Sequence, residues 1–322
     1  MTAPQPTPDP GPDGDGRRDV VLHGHRLVYT DLRAHQPERN HRPVLFVHGL
    51  MSSAQSWAAQ LGRMAGTHRV LAPDLFGSGD SDKPAGDYSL SAHAATLRDL
   101  MDSIGVAGAT VVGHSLGGGI ALQMAYLFPD RVDALVLVSS GGLGRELNPL
   151  LRAATLPGSE LVLPLIASRW LHDAGDTALN LWGRLGLPRI SPSSDEAWRN
   201  LSTLADSATR TAFLSTSRSV IDFFGQTVTA TNRLPGLASR PSLVIWGARD
   251  RIVPPSHLET ARAALPSASV EIFARSGHFP HLDEPDRFAG ALEGFLQQNL
   301  TAPAAAFAAP AATAKARRRP GR

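Results

Sequence analysis

The sequence predicts an α/β fold: a mostly parallel central sheet with helices on both faces and an inserted helical cap. Three observations carry that expectation. Short β-branched apolar runs alternate with longer helical patterns as far as Ser140. The alternation stops at Gly141 and resumes near residue 236 with "PSLVIWG". Between an apolar run and a helical one stands a serine fenced by glycines, "VGHSLGGG". Repeated strand-helix-strand order with continuously apolar strands is the pattern of a parallel sheet covered on both sides.

The elements follow in order. From Asp19 onward, "VVLHGHRLVYTDL" reads as a hairpin joined around Gly24. "PVLFVHG" is a buried strand, "SWAAQLGRMAG" a helix, "HRVLAPD" a strand and "SAHAATLRDLMDSIG" a helix. "ATVVGHS" is the strand that enters the glycine-fenced turn, "GIALQMAYLF" the helix that leaves it, and "VDALVLVSS" the next strand. From Gly141 to about Pro235 the pattern is one of helices and loops holding Trp170, Trp182 and Trp198. "PSLVIWG" and "SVEIFA" then restore strands before a terminal helix. An insertion between strands of one sheet emerges at the strand ends, so it should sit over whatever those ends create. The expected organisation is a disordered leader at 1–18, a core formed by 19–140 with 236–300, a helical cap at 141–235 and a disordered basic tail at 301–322.

Composition narrows the function. The chain has 322 residues, 42% hydrophobic and 19% charged, ordinary for a soluble globular protein. It holds no cysteine, which excludes a thiolate nucleophile, a disulfide framework and a cysteine-ligated metal. The sequence pI of 9.4 is a property of the tail. Lys315, Arg317, Arg318, Arg319 and Arg322 stand there without an acid, and removing those five charges from the formal +2 leaves −3 for the rest. The body therefore offers no electrostatic footprint for nucleic acid. The opening residues lack the basic-then-apolar order of a signal peptide, and "SELVLPLIAS" is too short and too interrupted by Pro164 to span a bilayer. A cytoplasmic chain without a transmembrane segment is the expectation.

The fenced serine is the centre of the chemistry. Gly113, Ser115 and Gly117 form G-x-S-x-G with a strand before and a helix after, the setting of a nucleophile elbow. Side chains at 113 and 117 would collide with neighbouring backbone in so tight a turn, and the following helix start favours developing negative charge. A base and an orienting acid appear downstream in the matching order: Asp250 in "WGARDRIVPP", then His278 in "ARSGHFPHLDEP". Each lies just beyond a parallel strand's carboxyl end. Plainer readings stand beside these: a structural or phosphate-binding glycine turn, a turn-capping Asp250, and a surface histidine among twelve. His281 reads as a hydrogen-bonding neighbour of the site and His114 as a residue packed beside the nucleophile.

Taken together, "FVHGL", "PDLFGSGDSDKP", "GHSLGGG", "WGARDRIVP" and "SGHFPHLDEP" resemble the α/β-hydrolase superfamily, over roughly residues 20 to 298. The resemblance implies an α/β-hydrolase fold and a Ser115, Asp250, His278 triad. It also implies an oxyanion hole from the backbone N–H groups of Leu50 and Leu116, and a structural role for Asp74, Gly77 and Gly79. No cofactor and no metal are expected.

Departures choose between branches. Epoxide hydrolases and haloalkane dehalogenases of this fold attack with aspartate, whereas position 115 is serine, and Tyr29, Tyr88 and Tyr126 all lie outside the cap. Serine with an oxyanion hole suits acyl transfer. The expected activity is carboxylic ester hydrolysis on a small hydrophobic acyl substrate. Carbon-carbon bond hydrolysis of a dienoic acid on the same triad stands second and perhydrolysis third. A non-catalytic ligand-binding homologue is the alternative of a different class.

Overall fold

The computed structural model describes residues 16–32, 42–168, 192–228 and 234–299. The leader up to residue 15, the tail from residue 300, Trp170 and Trp182 lie outside the described residues. Eight strands form one sheet: β1 (Arg17–Leu22), β2 (His25–Leu32), β3 (Val44–Val47), β4 (Val70–Pro73), β5 (Ala109–His114), β6 (Val132–Val138), β9 (Ser242–Gly247) and β10 (Ser269–Phe273). Their spatial order is β1-β2-β4-β3-β5-β6-β9-β10. β1 and β2 pair antiparallel, as do β2 and β4, and every other pair is parallel. The fold is that of an α/β hydrolase, a mostly parallel sheet with helices.

Side chains alternate across this sheet, so each strand supplies two cores. On one face Leu45, Val47, Leu135 and Leu137 pack with α2 (Leu90–Ser103) and α3 (Leu116–Leu127) through Leu97, Met101 and Ile120. On the other, Val44, Phe46, Val136 and Val138 meet Trp57, α1 (Ala58–Met64) and the C-terminal helix Pro285–Asn299. Burial on both faces explains why β3, β4, β5 and β9 read as unbroken apolar runs rather than alternating ones.

Two features differ from the expectation. The first strand begins at Arg17, inside the stretch expected as a leader, because Arg17 and Arg18 pair with Thr30 and Tyr29 across the hairpin. Between β6 and β9 the described chain forms helices α4 (Pro149–Ala153), α5 (Ser159–Ile166), α6 (Pro192–Ser202) and α7 (Ser207–Val220). It also forms a small hairpin, β7 (Ile221–Asp222) with β8 (Gly225–Gln226), where only helices and loops were expected. Two-residue strands are too short to leave a periodic signal. Leu50 and Met51, just beyond β3, pack against Leu163, Leu204, Phe213 and Leu214 of this inserted segment.

Candidate active site

Ser115 sits between β5 and α3 with φ 54° and ψ −117°, a left-handed conformation rare for a residue with a side chain. The turn is held from several sides. Ser115 N–H donates to Val138 O at 3.0 Å, and Ser115 O accepts from Gly118, Gly119 and Gly141 N–H at 3.0, 3.3 and 2.9 Å. The flanking glycines are required by space, as the motif implied. A Cβ at Gly113 would overlap the Gly117 carbonyl, and one at Gly117 would overlap the carbonyls of Val47 and His48.

Asp250 and His278 are brought together. The Asp250 side chain is buried, and its Oδ1 accepts from Ile252 and Val253 N–H at 2.8 and 3.0 Å. Its Oδ2 lies 2.8 Å from His278 Nδ1. A carboxylate accepts here, so the proton belongs on Nδ1, leaving the Nε2 lone pair available as a base. The elbow and the histidine loop are joined by His114, whose Nε2–H donates to the His278 carbonyl at 2.8 Å. Burial, with His278 and His281 beside it, pushes the His114 pKa well below the ordinary range, so its ring is neutral. Ser115 Oγ makes no hydrogen bond among the described residues, a loose arrangement common in free enzymes.

Leu50 and Leu116 flank the serine. Neither N–H has a backbone acceptor among the described residues, and Leu116 opens the 12-residue α3, where the helix dipole favours negative charge. The Leu50 amide has its own positioning device. Leu75 N–H donates to His48 Nε2 at 3.0 Å, which puts the His48 proton on Nδ1, and Nδ1–H donates to Gly49 O at 2.8 Å. In a trans peptide the next N–H points opposite to that carbonyl, so this bond fixes the direction of Leu50 N–H. Gly49 also lies against the elbow, where a Cβ would stand 3.2 Å from Ser115 Cβ.

Asp74 makes no contact with His278. It accepts from Ala54 N–H at 2.8 Å and from Asp80 N–H at 2.9 Å, so it anchors the loop after β3. A Cβ at Gly77 would press on Tyr88 at 2.6 Å and Ala212 at 2.7 Å. His281 is not the hydrogen-bonding neighbour expected. Both ring nitrogens lack a partner among the described residues, and the ring stacks on Trp57 at 4.2 Å between centroids. Burial takes its pKa down to about 3. It serves as an aromatic platform, a use the motif "GHFPH" could not distinguish from hydrogen bonding.

Two clefts meet at Leu50 and Leu116. One, over Ser115, is lined by Leu90, Leu147, Leu151, Ile221 and Val253, with Gln226 as its only other polar side chain among the described residues. Gln226 Oε1 accepts from Gly142 N–H at 2.7 Å. The other cleft is lined by Phe76, His93, Phe213 and Thr216, among others.

The comparisons bear on the family and the fold. The family model of the alpha/beta hydrolase fold matches residues 42–285. An uncharacterized protein of Mycobacterium tuberculosis is 37% identical over 272 residues, 84% of this chain and 80% of that one. A 2-hydroxymuconate semialdehyde hydrolase of Pseudomonas putida is 28% identical over 306 residues, 92% of this chain and 98% of that one. The solved structure of a thermophilic esterase from Thermogutta terrifontis superposes with a TM-score of 0.66 at 23% identity, covering 88% of this chain and 99% of that one. Among the described residues no helix is long and apolar enough to cross a membrane. A matched model over most of the chain, and a sheet whose carboxyl ends gather Ser115, Asp250 and His278, make the protein a member of the α/β hydrolase family.

Proposed function

We propose that the protein is a serine hydrolase cleaving carboxylic esters of a small hydrophobic acyl group through an acyl-enzyme intermediate. The observation that carries the reading is a buried Asp250–His278 pair at 2.8 Å, tied through the His114 ring to the elbow that holds Ser115 at positive φ. In this reading Ser115 Oγ attacks the ester carbonyl and His278 Nε2 takes its proton. Asp250 stabilises the imidazolium, and the N–H groups of Leu50 and Leu116 receive the oxyanion. The tetrahedral centre collapses, His278 returns the proton to the leaving alcohol, and the acyl-enzyme forms. Water, losing a proton to His278, then attacks the acyl carbon, and Ser115 leaves with that proton. The helices between residues 149 and 220 act as the cap, and the clefts on either side of Leu50 and Leu116 receive the acyl and alcohol halves.

Carbon-carbon bond hydrolysis of a dienoic acid is the second reading, favoured by the Pseudomonas putida relative. The cleft over Ser115 favours the ester, because its described lining offers no lysine or arginine for a carboxylate. The test is a series of p-nitrophenyl esters from acetate to decanoate run beside one dienoic ketone acid. Esters turned over at least a hundredfold more efficiently than the ketone acid support the first reading. The reverse order replaces it with the second, and inertness toward both, with binding retained, points to a ligand-binding homologue.

A further inference from the structure

We propose that Glu196, on the inserted helix α6, is a positioning residue for the oxyanion hole and acts through Ser52. The proposal rests on the serine-hydrolase reading above and names a part of the machinery that it did not include.

The loop after β3 must hold one amide, Leu50 N–H, in a single direction. His48 fixes that peptide from the Gly49 side. On the other side the chain turns at once through Met51, at φ 61°, a left-handed conformation that a long side chain adopts only when its surroundings impose it. What imposes it is the next residue. Ser52 is buried, its N–H donates to Gly49 O at 3.2 Å, and its Oγ–H donates to Glu196 Oε1 at 3.0 Å. The strained residue is thus clamped between a carbonyl already engaged by His48 and a carboxylate 144 positions later in the chain.

Glu196 is an unusual residue to find there. It is 5% exposed, and a buried carboxylate is costly unless its oxygens are paired. Its second oxygen takes Arg199 Nη2 at 2.8 Å, and that guanidinium, one turn along the same helix, is 67% exposed. The ion pair could form on any solvated helix face. The contact that requires burial is the one with Ser52, a charge-assisted hydrogen bond stronger than a neutral one. Leu50 and Met51 also pack on Leu204, Phe213 and Leu214, so α6 and the apolar cluster beside it grip the same three residues. The oxyanion loop is therefore completed by the inserted segment, and loosening that grip frees the Leu50 peptide to rotate.

The test compares Ser52→Ala, Glu196→Leu, Glu196→Gln and the Ser52→Ala/Glu196→Leu double variant. Readouts are kcat and KM on a p-nitrophenyl ester, inhibition by a trifluoromethyl ketone, which forms a tetrahedral adduct, and the thermal midpoint. Removing an oxyanion donor outright costs about a hundred- to a thousandfold in kcat, and a donor left in place but loosened should cost about ten- to a hundredfold. Ser52→Ala and Glu196→Leu should each lose that much kcat with KM within about threefold, and ketone affinity should fall in parallel. The double variant should be no worse than either single one, since both remove one interaction. Glu196→Gln should keep at least about a third of kcat, because a serine hydroxyl can donate to the amide oxygen or accept from its N–H.

A lower thermal midpoint with kcat and ketone affinity unchanged would overturn the proposal and leave Glu196 a structural contact. Equal loss in Glu196→Gln and Glu196→Leu would overturn it too. Should Glu196→Leu not fold, Ser52→Ala, which removes one oxygen atom, carries the same comparison. A wild-type protein inert toward both the ester and the ketone would instead refute the serine-hydrolase reading, and this proposal with it.

Discussion

Replacing Asp250 by asparagine should stop turnover without disturbing the fold, and the reason lies in the hydrogen bonds around one carboxylate. Oδ1 accepts two backbone N–H groups, from Ile252 and Val253, so an asparagine must turn its amide oxygen toward them. Its NH2 group then faces His278 Nδ1, where Oδ2 stands at 2.8 Å in the native protein. A donor at that place forces Nδ1 to accept, moves the ring proton to Nε2, and removes the lone pair that would take the Ser115 proton. A wrong tautomer of this kind lowers kcat about ten-thousandfold, or ~5 kcal/mol of transition-state stabilisation. The Asp250 side chain is fully buried and lines neither cleft over the serine, so KM should stay within about threefold. The assay is steady-state hydrolysis of a p-nitrophenyl ester, with circular dichroism to confirm folding. A kcat within tenfold of wild type would refute the reasoning. So would a larger loss from Asp74→Asn, whose carboxylate anchors the loop after β3 rather than the histidine.

Other outcomes follow from the same contacts. Gly113→Ala drives a Cβ into the Gly117 carbonyl and the Gly118 nitrogen, backbone atoms with no rotamer to yield, so it should destabilise the protein by about 3 kcal/mol in urea denaturation; wild-type stability would mean that the elbow is wider than described. Acid should weaken the fold through its buried histidines. Burial lowers His281 to about 3 and His93 to about 4, both below the usual 6.5, so between those values the unfolded chain binds more protons and stability falls as pH falls. At pH 4.5 the His281 share of that loss is about 2 to 3 kcal/mol. His281→Phe keeps the stack on Trp57, loses no ring hydrogen bond, and should flatten the slope between pH 6.5 and 4.5; an unchanged slope would contradict this assignment.

The parts of the site that could be read in advance are those encoded by neighbours in the chain. Gly113, Ser115 and Gly117 announce a tight strand-to-helix turn because the collisions they avoid are local. Asp250 stands in the loop after the buried strand β9 and His278 in the loop after the edge strand β10, so the order of the elements brings them to one end of the sheet. Glu196 and Ser52 lie 144 residues apart and belong to no motif, so nothing short of the folded chain reveals their hydrogen bond. The same limit explains His281, where stacking on Trp57 and hydrogen bonding leave an identical trace in a one-dimensional pattern. It also explains Arg17, whose place in the first strand is set by its partner Thr30.

The central claim is that Ser115 is an activated nucleophile, and the most direct measurement of it is the intact mass of the protein after reaction with a fluorophosphonate. The account predicts one adduct per chain, mapped by peptide sequencing to Ser115, absent from Ser115→Ala and slowed at least about a hundredfold in His278→Gln, which lacks the base. An unmodified protein, or an adduct carried by any other residue, would contradict it.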